Sequence, residues 1–185
     1  MAVTPMMQQY LDIKKNYTDS ILFYRIGDFY EMFYDDAKLV SRELDLTLTG
    51  KDCGEAERAP MCGVPFHAAD NYIGRLVRRG YKVVICEQVE DPAQAKGLVR
   101  RDVIRIVTPG TVIENHFLEE GQNNYLCAVC CTDDEVGLCF ADISTGDISA
   151  TRLSGADIAN RLLNQMATFS PCEMLINQSI SNYPM

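Results

Sequence analysis

The sequence predicts an α/β fold with a mixed sheet, followed by a second part that opens as a run of antiparallel strands. Apolar segments typical of strands, such as 21–26 and 81–89, are separated along the chain by segments whose apolar residues have helical spacing. After residue 122, three short apolar runs are separated only by turn residues, a pattern typical of a β-meander. Strands separated by helices indicate a sheet with mixed strand directions.

The first part opens with a helix predicted over 5–16, because Thr4 is a suitable N-cap and Pro5 is favoured at the first helical position. Two extended segments follow, and Gly27-Asp28 between them is predicted to be a turn. The later elements follow from the same periodicities: a helix over 34–44, a strand at 46–49, a polar loop at 50–59, a helix over 68–79, and strands at 81–89 and 103–107.

The boundary between the two parts is predicted at residue 110, where Thr108-Pro109-Gly110 ends the first domain. Residues 1–110 are interpreted as one domain, 111–121 as a linker without a strong period, and 122–185 as a second domain. The elements predicted for the second domain are strands at 124–131, 137–142 and 146–151, a helix over 156–168 and a strand at 173–176.

The negative charge of the chain is concentrated in its second part. Residues 1–110 contain 15 Lys+Arg against 16 Asp+Glu, which gives −1, and residues 111–185 contain 2 against 10, which gives −8 of the total −9. The first domain is therefore electrostatically tolerant of phosphate, whereas the second is not expected to contact it. A charge of −1 lacks the basic character of an independent DNA-binding domain, so tight binding is expected to need other parts of a larger protein.

Eight cysteines and the lack of a secretory signal predict a reducing, cytoplasmic location without membrane contact. Cys127-Ala-Val-Cys130 has the spacing of a zinc-ligand pair, but a structural zinc needs four ligands and the sequence lacks a second such pair. The cysteines within 124–131 alternate with small apolar residues. This pattern predicts thiols that pack in a strand buried on both faces, and no metal.

The tripeptide Phe29-Tyr30-Glu31 is the centre of the first domain. In an extended backbone, side chains two residues apart share a face, so Phe29 and Glu31 are expected to project together while Tyr30 points the other way. An aromatic ring beside a carboxylate suits stacking on a nucleobase and hydrogen bonding to its edge, whereas an ionised Glu in a dry core is costly. An ordinary half-buried strand is the alternative for these three residues taken alone.

Five separated segments resemble the amino-terminal region of the MutS family of bacterial mismatch-repair sensors, in the same order and at similar spacing. They are TPMMQQ at 4–9, FYRIGDFYEMF at 23–33, PMCGVPFH at 60–67, ICEQVEDP at 85–92 and RIVTPG at 105–110. The resemblance implies that residues 1–110 form the mismatch-recognition domain. It implies that Phe29 is inserted as a wedge at a mispair from the minor groove, and that Glu31 hydrogen-bonds the displaced base.

The resemblance also implies supporting DNA contacts. By their positions in the matching segments, Ile26 is expected to pack beside the wedge, and Lys51, Gln88 and Arg101 are expected to contact backbone or groove atoms. The alternative is that Gln88 only caps a strand, while Lys51 and Arg101 are solvated loop charges.

For the second part, FADISTGD at 140–147 resembles the connector domain of the same family, which implies the start of a ribonuclease-H-like fold over 122–185. Asp142 and Asp147 are interpreted as turn residues and not as metal ligands, because the family connector is not catalytic. The sequence contains no G-x-x-x-x-G-K-[ST] motif, so it is not expected to bind ATP through a phosphate loop. The resemblance implies that the ATPase belongs to the full-length protein, so no catalysis and no cofactor are expected in this chain. The resemblance assigns ATP, Mg²⁺, homodimer formation and contact with a MutL-type repair protein to the full-length protein.

Two alternatives from other functional classes remain open at the level of sequence. Clustered carboxylates at Asp28, Glu31, Asp35 and Asp36 could hold Mg²⁺ in a metal-dependent nuclease, although strand alternation puts Asp28 opposite Glu31. The acidic second domain could instead be an interaction module that docks a partner repair protein.

Overall fold

The computed structural model of the chain describes residues 3–91, 95, 97–113, 117–118 and 121–179. The chain forms two compact units, 1–107 and 108–185. The predicted linker at 111–121 lies partly outside the described residues. No helix in the described ranges is both long enough and apolar enough to cross a lipid bilayer.

The described part of the first unit is built on one six-stranded sheet with strand order β3-β4-β2-β1-β5-β6. Strands β1 and β5 are parallel, and the other neighbouring strands are antiparallel, which confirms the predicted mixed sheet. Its elements are α1 (Pro5–Lys14), β1 (Ile21–Ile26), β2 (Phe29–Phe33), α2 (Tyr34–Leu44), β3 (Thr49–Lys51), β4 (Ala59–Pro65), α3 (Ala69–Val77), β5 (Val83–Gln88) and β6 (Arg101–Val107).

Local sequence explains where the first elements begin and turn. Thr4 caps α1 by accepting a hydrogen bond from the backbone N–H of Met7, at 3.4 Å. The predicted turn at Gly27-Asp28 joins β1 to β2, so that Ile26 pairs with Phe29. Gly27 has a φ of +56°, a conformation that glycine adopts at little cost, and this closes the hairpin with only two residues.

The sheet is covered on both faces. Tyr10 of α1 packs edge-on against Tyr24 and Phe33, with ring centroids 5.4 Å and 4.9 Å away. On the opposite face α2 contacts β4, where the Cys62 thiol donates a hydrogen bond to the carbonyl of Ala37. The edge-to-face rings and the apolar burial fix the sheet between α1 on one side and α2 and α3 on the other.

One buried carboxylate ties α1, β1 and α2 together. Asp36, in the first turn of α2, accepts hydrogen bonds from Lys14 Nζ at 2.9 Å, the backbone N–H of Leu22 at 3.0 Å and the hydroxyl of Tyr10 at 3.4 Å. Burial and the nearby Asp36 carboxylate raise the pKa of Tyr10, so its hydroxyl stays a donor at neutral pH. The buried charge is therefore fully hydrogen-bonded.

Two elements of this unit differ from the predictions. The strand predicted at 46–49 is wrong, since the strand here is Thr49–Lys51. Asp45 ends α2 in the left-handed region at φ 57°, and Leu46 bonds back to Ser41 through both its N–H and its carbonyl, so it is not available to a ladder. Strand β4 (Ala59–Pro65) was not predicted, because Pro60 and Pro65 weaken its strand pattern.

The second unit confirms the predicted meander, helix and final strand. Its sheet has the order β10-β7-β8-β9, with β10 parallel to β7 and the other pairs antiparallel. Its elements are β7 (Tyr125–Cys131), β8 (Glu135–Asp142), β9 (Asp147–Ser154), α4 (Ile158–Phe169) and β10 (Glu173–Ile176).

Helix α4 packs on one face of this sheet. The ring of Phe169 stacks on Phe140 with centroids 4.1 Å apart and planes at 9°. In β7, Cys127 and Cys131 are buried on that face while Cys130 is exposed on the other. The prediction of a strand buried on both faces is therefore wrong, because within the described ranges only one face is covered by a helix.

Asp142 ends β8, and both of its carboxylate oxygens accept hydrogen bonds from neighbouring residues, including those of the turn that follows. Its carboxylate accepts from the N–H and hydroxyl of Ser144 at 2.9 and 2.6 Å and from the N–H of Asn124 at 2.9 Å. Burial by itself raises the pKa of Asp142, but the hydrogen bonds from Ser144, Asn124 and Thr145 outweigh it and hold the pKa below its usual value. This is a structural carboxylate, as the sequence predicted.

The free energy of unfolding is expected to depend on pH through Asp142. Because its pKa is lower in the folded state, its contribution is complete above the unfolded pKa of about 3.9 and is lost as pH falls through the folded value. Urea unfolding followed by circular dichroism at pH 7 and at pH 3 should show a smaller difference in Asp142→Asn than in the wild type. Asp133→Asn, in an exposed turn, is the control and should leave the difference unchanged.

Candidate nucleic-acid interface

One end of the first sheet gathers most of the predicted site. Because β1 and β5 are parallel, they end at the same edge, where β2 and β6 begin and β4 ends. We call this edge the hairpin end, and it is marked by Ile26, Phe29, Pro65, Gln88 and Arg101. The two-residue turn at Gly27-Asp28 projects from it.

The register of the sheet places all six predicted site residues on one face. Side chains of residues that pair on neighbouring strands point to the same face of the sheet, and side chains along one strand alternate between its faces. The face that α1 covers therefore carries Ile26, Phe29, Glu31, Lys51, Gln88 and Arg101. The residues come from β1, β2, β3, β5 and β6, so the sheet brings together segments that are far apart in the chain.

Phe29 is the first residue of β2, and 47 % of it is exposed. Its neighbour Tyr30 is 7 % exposed on the other face, which is the alternation that the sequence predicted. The Phe29 ring lies beside a tight turn, and its solvent-facing side therefore has no packing partner among the described residues. Such a ring is available to insert into, or stack on, another molecule.

Glu31 lies two residues further along β2 and forms an ion pair with Lys51. Their Oε2 and Nζ atoms are 2.5 Å apart, and the side chains are 13 % and 27 % exposed. Gly63 pairs with Glu31, and a Cβ at position 63 would lie 3.3 Å from the carbonyl oxygen of Tyr30, a tight contact, and 3.6 Å from Cγ of Glu31, an ordinary one. Lys51 therefore contacts Glu31 and is neither a solvated loop charge nor extended away from the sheet.

Arg101 is held by other residues of the unit. Its Nε donates to the carbonyl of Arg25 at 2.7 Å, and its Nη1 donates to Gln9 Oε1 at 3.1 Å and to the carbonyl of Val99 at 3.0 Å. Its guanidinium also lies 4.9 Å from the ring centroid of Tyr24. These contacts link β6 to β1 and α1, which makes Arg101 part of the framework behind the hairpin end.

Ile26 and Gln88 are half-buried beside this framework. Ile26 packs against the core cluster that includes Tyr24 and Cys86. Gln88 pairs with Arg101 across β5 and β6, and its amide has no hydrogen bond to any described residue. Of the supporting residues, Gln88 therefore has the most hydrogen-bonding capacity left for a ligand.

Four residues on the opposite face of the hairpin end, Arg25, Tyr30, Phe66 and Glu87, were not among the predicted site residues. Arg25 pairs with Tyr30 across the hairpin, and its guanidinium lies 3.7 Å from the ring centroid of Phe66 and 3.7 Å from a carboxylate oxygen of Glu87. The pairing of Arg25 with Tyr30 follows from the two-residue turn and could have been predicted. The contacts with Phe66 and Glu87 depend on the sheet order.

The carboxylates of the nuclease alternative do not converge. Asp36 is buried against Lys14, Glu31 is paired with Lys51, and the side chain of Asp35 is 95 % exposed beside Lys38. Over the ranges that the structure describes, no three His, Cys, Asp or Glu side chains lie close enough together to hold a metal ion.

Comparison with known proteins decides the family. Residues 4–116 match the family model of MutS domain I, and residues 124–184 match that of MutS domain II. The chain belongs to the MutS family. The resemblance drawn from the five segments is thereby confirmed.

Curated MutS relatives match almost the whole chain. The DNA mismatch repair protein MutS of Ruminiclostridium cellulolyticum is 60 % identical over 180 residues, which are 97 % of this chain and 21 % of that protein. The MutS proteins of Acetivibrio thermocellus and Caldanaerobacter subterraneus are 57 % and 54 % identical over 95 % and 96 % of this chain, and 20 % of each is covered. The chain thus spans about a fifth of the length of these MutS relatives.

Proposed function

We propose that this chain supplies the mismatch-recognition surface of a DNA mismatch-repair protein, with Phe29 as the wedge that enters the duplex from the minor groove. The observation that carries the proposal is the half-exposed ring of Phe29 at the tip of a two-residue hairpin turn, on the same face as a carboxylate. Membership of the MutS family, whose relatives are named DNA mismatch repair proteins, supports the same role.

The selectivity of such a wedge comes from the DNA. Inserting a ring between base pairs unstacks them, which costs roughly a few kcal/mol. This cost is smallest where the bases are already mispaired and the duplex bends readily. One aromatic side chain can therefore respond to many mispairs without a hydrogen-bonding code for each. The preference for mispaired over paired duplex is a difference between two deformation energies.

Glu31 adds a hydrogen-bond acceptor for a base at the insertion site. A bare carboxylate would be repelled by the phosphates, and either it or the base would need a proton. Lys51 changes this balance, because its ammonium lies 2.5 Å from Glu31 and makes the pair neutral overall. We propose that Lys51 lets Glu31 approach the duplex as a carboxylate, and that Lys51 contacts DNA only indirectly.

The remaining activities belong to the longer family protein in this proposal. The curated relatives are about five times the length of the matched segment. We assign ATP and Mg²⁺ binding, homodimer formation and contact with a MutL-type protein to the full-length protein, and only recognition to residues 1–110. The net charge of −1 over those residues supports this division, since other basic surfaces are needed for tight binding.

A paired titration tests the proposal. The chain alone, and a full-length family protein that carries these residues, are titrated against two duplexes that differ only by one mispair, at two salt concentrations. We expect the full-length protein to bind the mispaired duplex more tightly at both concentrations, and the chain alone to bind weakly. Equal affinity of the full-length protein for the two duplexes would contradict the proposal.

The ion pair gives a separate prediction for Glu31→Gln in the full-length protein. Removing the carboxylate leaves the Lys51 ammonium unpaired at the interface, so binding to perfectly paired duplex should tighten. The slope of log Kd against log salt should grow by about 1, the value for one added phosphate contact.

The control is the double variant Glu31→Gln with Lys51→Gln, which removes both charges. It should return the salt slope to that of the wild type. An unchanged slope in the single variant would show that Lys51 does not face the phosphates once Glu31 is gone.

A further inference from the structure

We propose that Arg25, Tyr30, Phe66 and Glu87 act as positioning residues that hold the hairpin tip rigid and thereby set how well Phe29 discriminates mispaired from paired duplex. We call these four residues the support cluster. The inference rests on the proposed wedge function of Phe29 and deepens it, because none of the four needs to touch DNA for this role.

The support cluster links four segments directly behind the tip. The hydroxyl of Tyr30 in β2 donates a hydrogen bond to Glu87 in β5, and Glu87 also pairs with Arg25 Nη1 of β1 at 3.7 Å. The Arg25 guanidinium lies between two rings, 3.7 Å from the centroid of Phe66 and 5.6 Å from that of Tyr30. The turn itself is tied to the same group, since the N–H of Phe66 donates to the carbonyl of Asp28 at 2.9 Å.

Burial makes the contacts among Arg25, Tyr30 and Glu87 stronger than they would be in water. The side chains of Arg25 and Glu87 are 14 % and 25 % exposed, and Tyr30 is 7 % exposed. Charge-assisted hydrogen bonds gain strength where the local dielectric is low. Burial, and then the hydrogen bond to Glu87, raise the pKa of Tyr30, so the hydroxyl remains a donor across the physiological range.

Alternation places the support cluster and the wedge on opposite faces of the same strands. Arg25 and Tyr30 form the pair next to Ile26 and Phe29, at the last two rungs before the turn. A two-stranded hairpin by itself is only marginally stable, so its tip bends unless other elements brace it. Here β4 pairs with β2 as far as Phe29, and the support cluster adds contacts from β5 and from the short helical turn at Phe66–Ala68.

Phe29 can discriminate mispaired from paired duplex only if the hairpin tip that carries it does not bend when the ring meets the bases. On paired duplex a rigid ring must unstack bases to approach, whereas a compliant tip would let Phe29 turn aside and would spare the complex the cost of unstacking. Loosening the tip should therefore raise the affinity for paired duplex relative to mispaired duplex. The support cluster would control specificity more than affinity.

The test uses Tyr30→Phe in the full-length protein, a variant that removes one hydroxyl and keeps the buried ring. We expect the ratio of mispaired to paired affinity to fall about fivefold, which corresponds to the net worth of one hydrogen bond. In a Phe29→Ala background, where the ratio is expected to be about 1 already, the same substitution should leave it at about 1, because the cluster acts through the wedge. Phe66→Leu, which removes the ring beneath Arg25, should lower the ratio as well.

The control is Tyr72→Phe on α3, which loses a hydroxyl away from the support cluster and should leave the ratio unchanged. Thermal unfolding of each variant checks that the fold persists. A folded Tyr30→Phe protein with an unchanged ratio overturns the inference, and so does an equal fall of the ratio in the Tyr72→Phe control. If Phe29→Ala itself leaves the ratio intact, it is the proposed function that fails, which is a distinguishable outcome.

Discussion

Replacing Phe29 with alanine is expected to abolish the preference for mispaired duplex, bringing the ratio of the two affinities to about 1, since in the proposed mechanism this ring unstacks the bases and the cost of unstacking separates the two duplexes. The fold should be unaffected, because 47 % of Phe29 is exposed and surface substitutions usually change the free energy of unfolding by less than about 0.5 kcal/mol. Fluorescence anisotropy of labelled duplexes with the full-length protein measures the ratio, and chemical unfolding measures the stability.

Ile106→Ala is a matched control for the loss of apolar surface. Ile106 is 45 % exposed on β6 of the same sheet, and its pairing with Val84 places it away from the hairpin end. The control should keep the wild-type ratio. A preference for mispaired duplex that survives in Phe29→Ala would remove the wedge from the mechanism.

Asp36→Asn is expected to cause the largest loss of stability, because this one carboxylate of α2 accepts hydrogen bonds from three donors in α1 and β1. Either orientation of the asparagine amide points its NH₂ group at Lys14 or at the Leu22 N–H and Tyr10 hydroxyl. Breaking a buried pair in this way costs about 3 kcal/mol. Urea unfolding of the chain followed by circular dichroism should show a correspondingly lower midpoint.

The neighbouring Asp35→Asn separates this effect from a general loss of negative charge at the helix start. The Asp35 side chain is 95 % exposed and its ion pair with Lys38 is at the surface, so its substitution should change the free energy of unfolding by less than about 0.5 kcal/mol. Equal losses in the two variants would mean that the charge at the N-terminus of α2, and not the buried network, stabilises the fold.

Local pattern was sufficient for the hairpin but not for its surroundings. Alternation along β2 correctly placed Phe29 and Glu31 on one face and Tyr30 on the other, because successive side chains of a regular strand point to opposite faces of the sheet. The partner of Glu31 was not predictable from pattern, since Lys51 reaches it from two strands away and the strand that carries it was placed wrongly. Long-range contacts of this kind depend on strand order.

The same limit applies to β4 and to the support cluster. Pro60 and Pro65, at the second and last positions of β4, made this segment look unlike a strand in the sequence. Without β4, the position of Phe66 beside Arg25 could not be derived. Glu87 lies 57 residues from Tyr30, and only the parallel pairing of β1 with β5 brings them together. Residue types and local spacing do not encode which strands become neighbours.

The order of the six strands places the hairpin at the middle of the sheet, with two strands on each side. A force on the Phe29 ring is therefore distributed over the backbone hydrogen bonds on both sides of the hairpin, and the four flanking strands resist its bending. This resistance to bending does not depend on the identity of the bases. It therefore suits the proposed wedge, whose selectivity would come from how easily each base step of the duplex deforms.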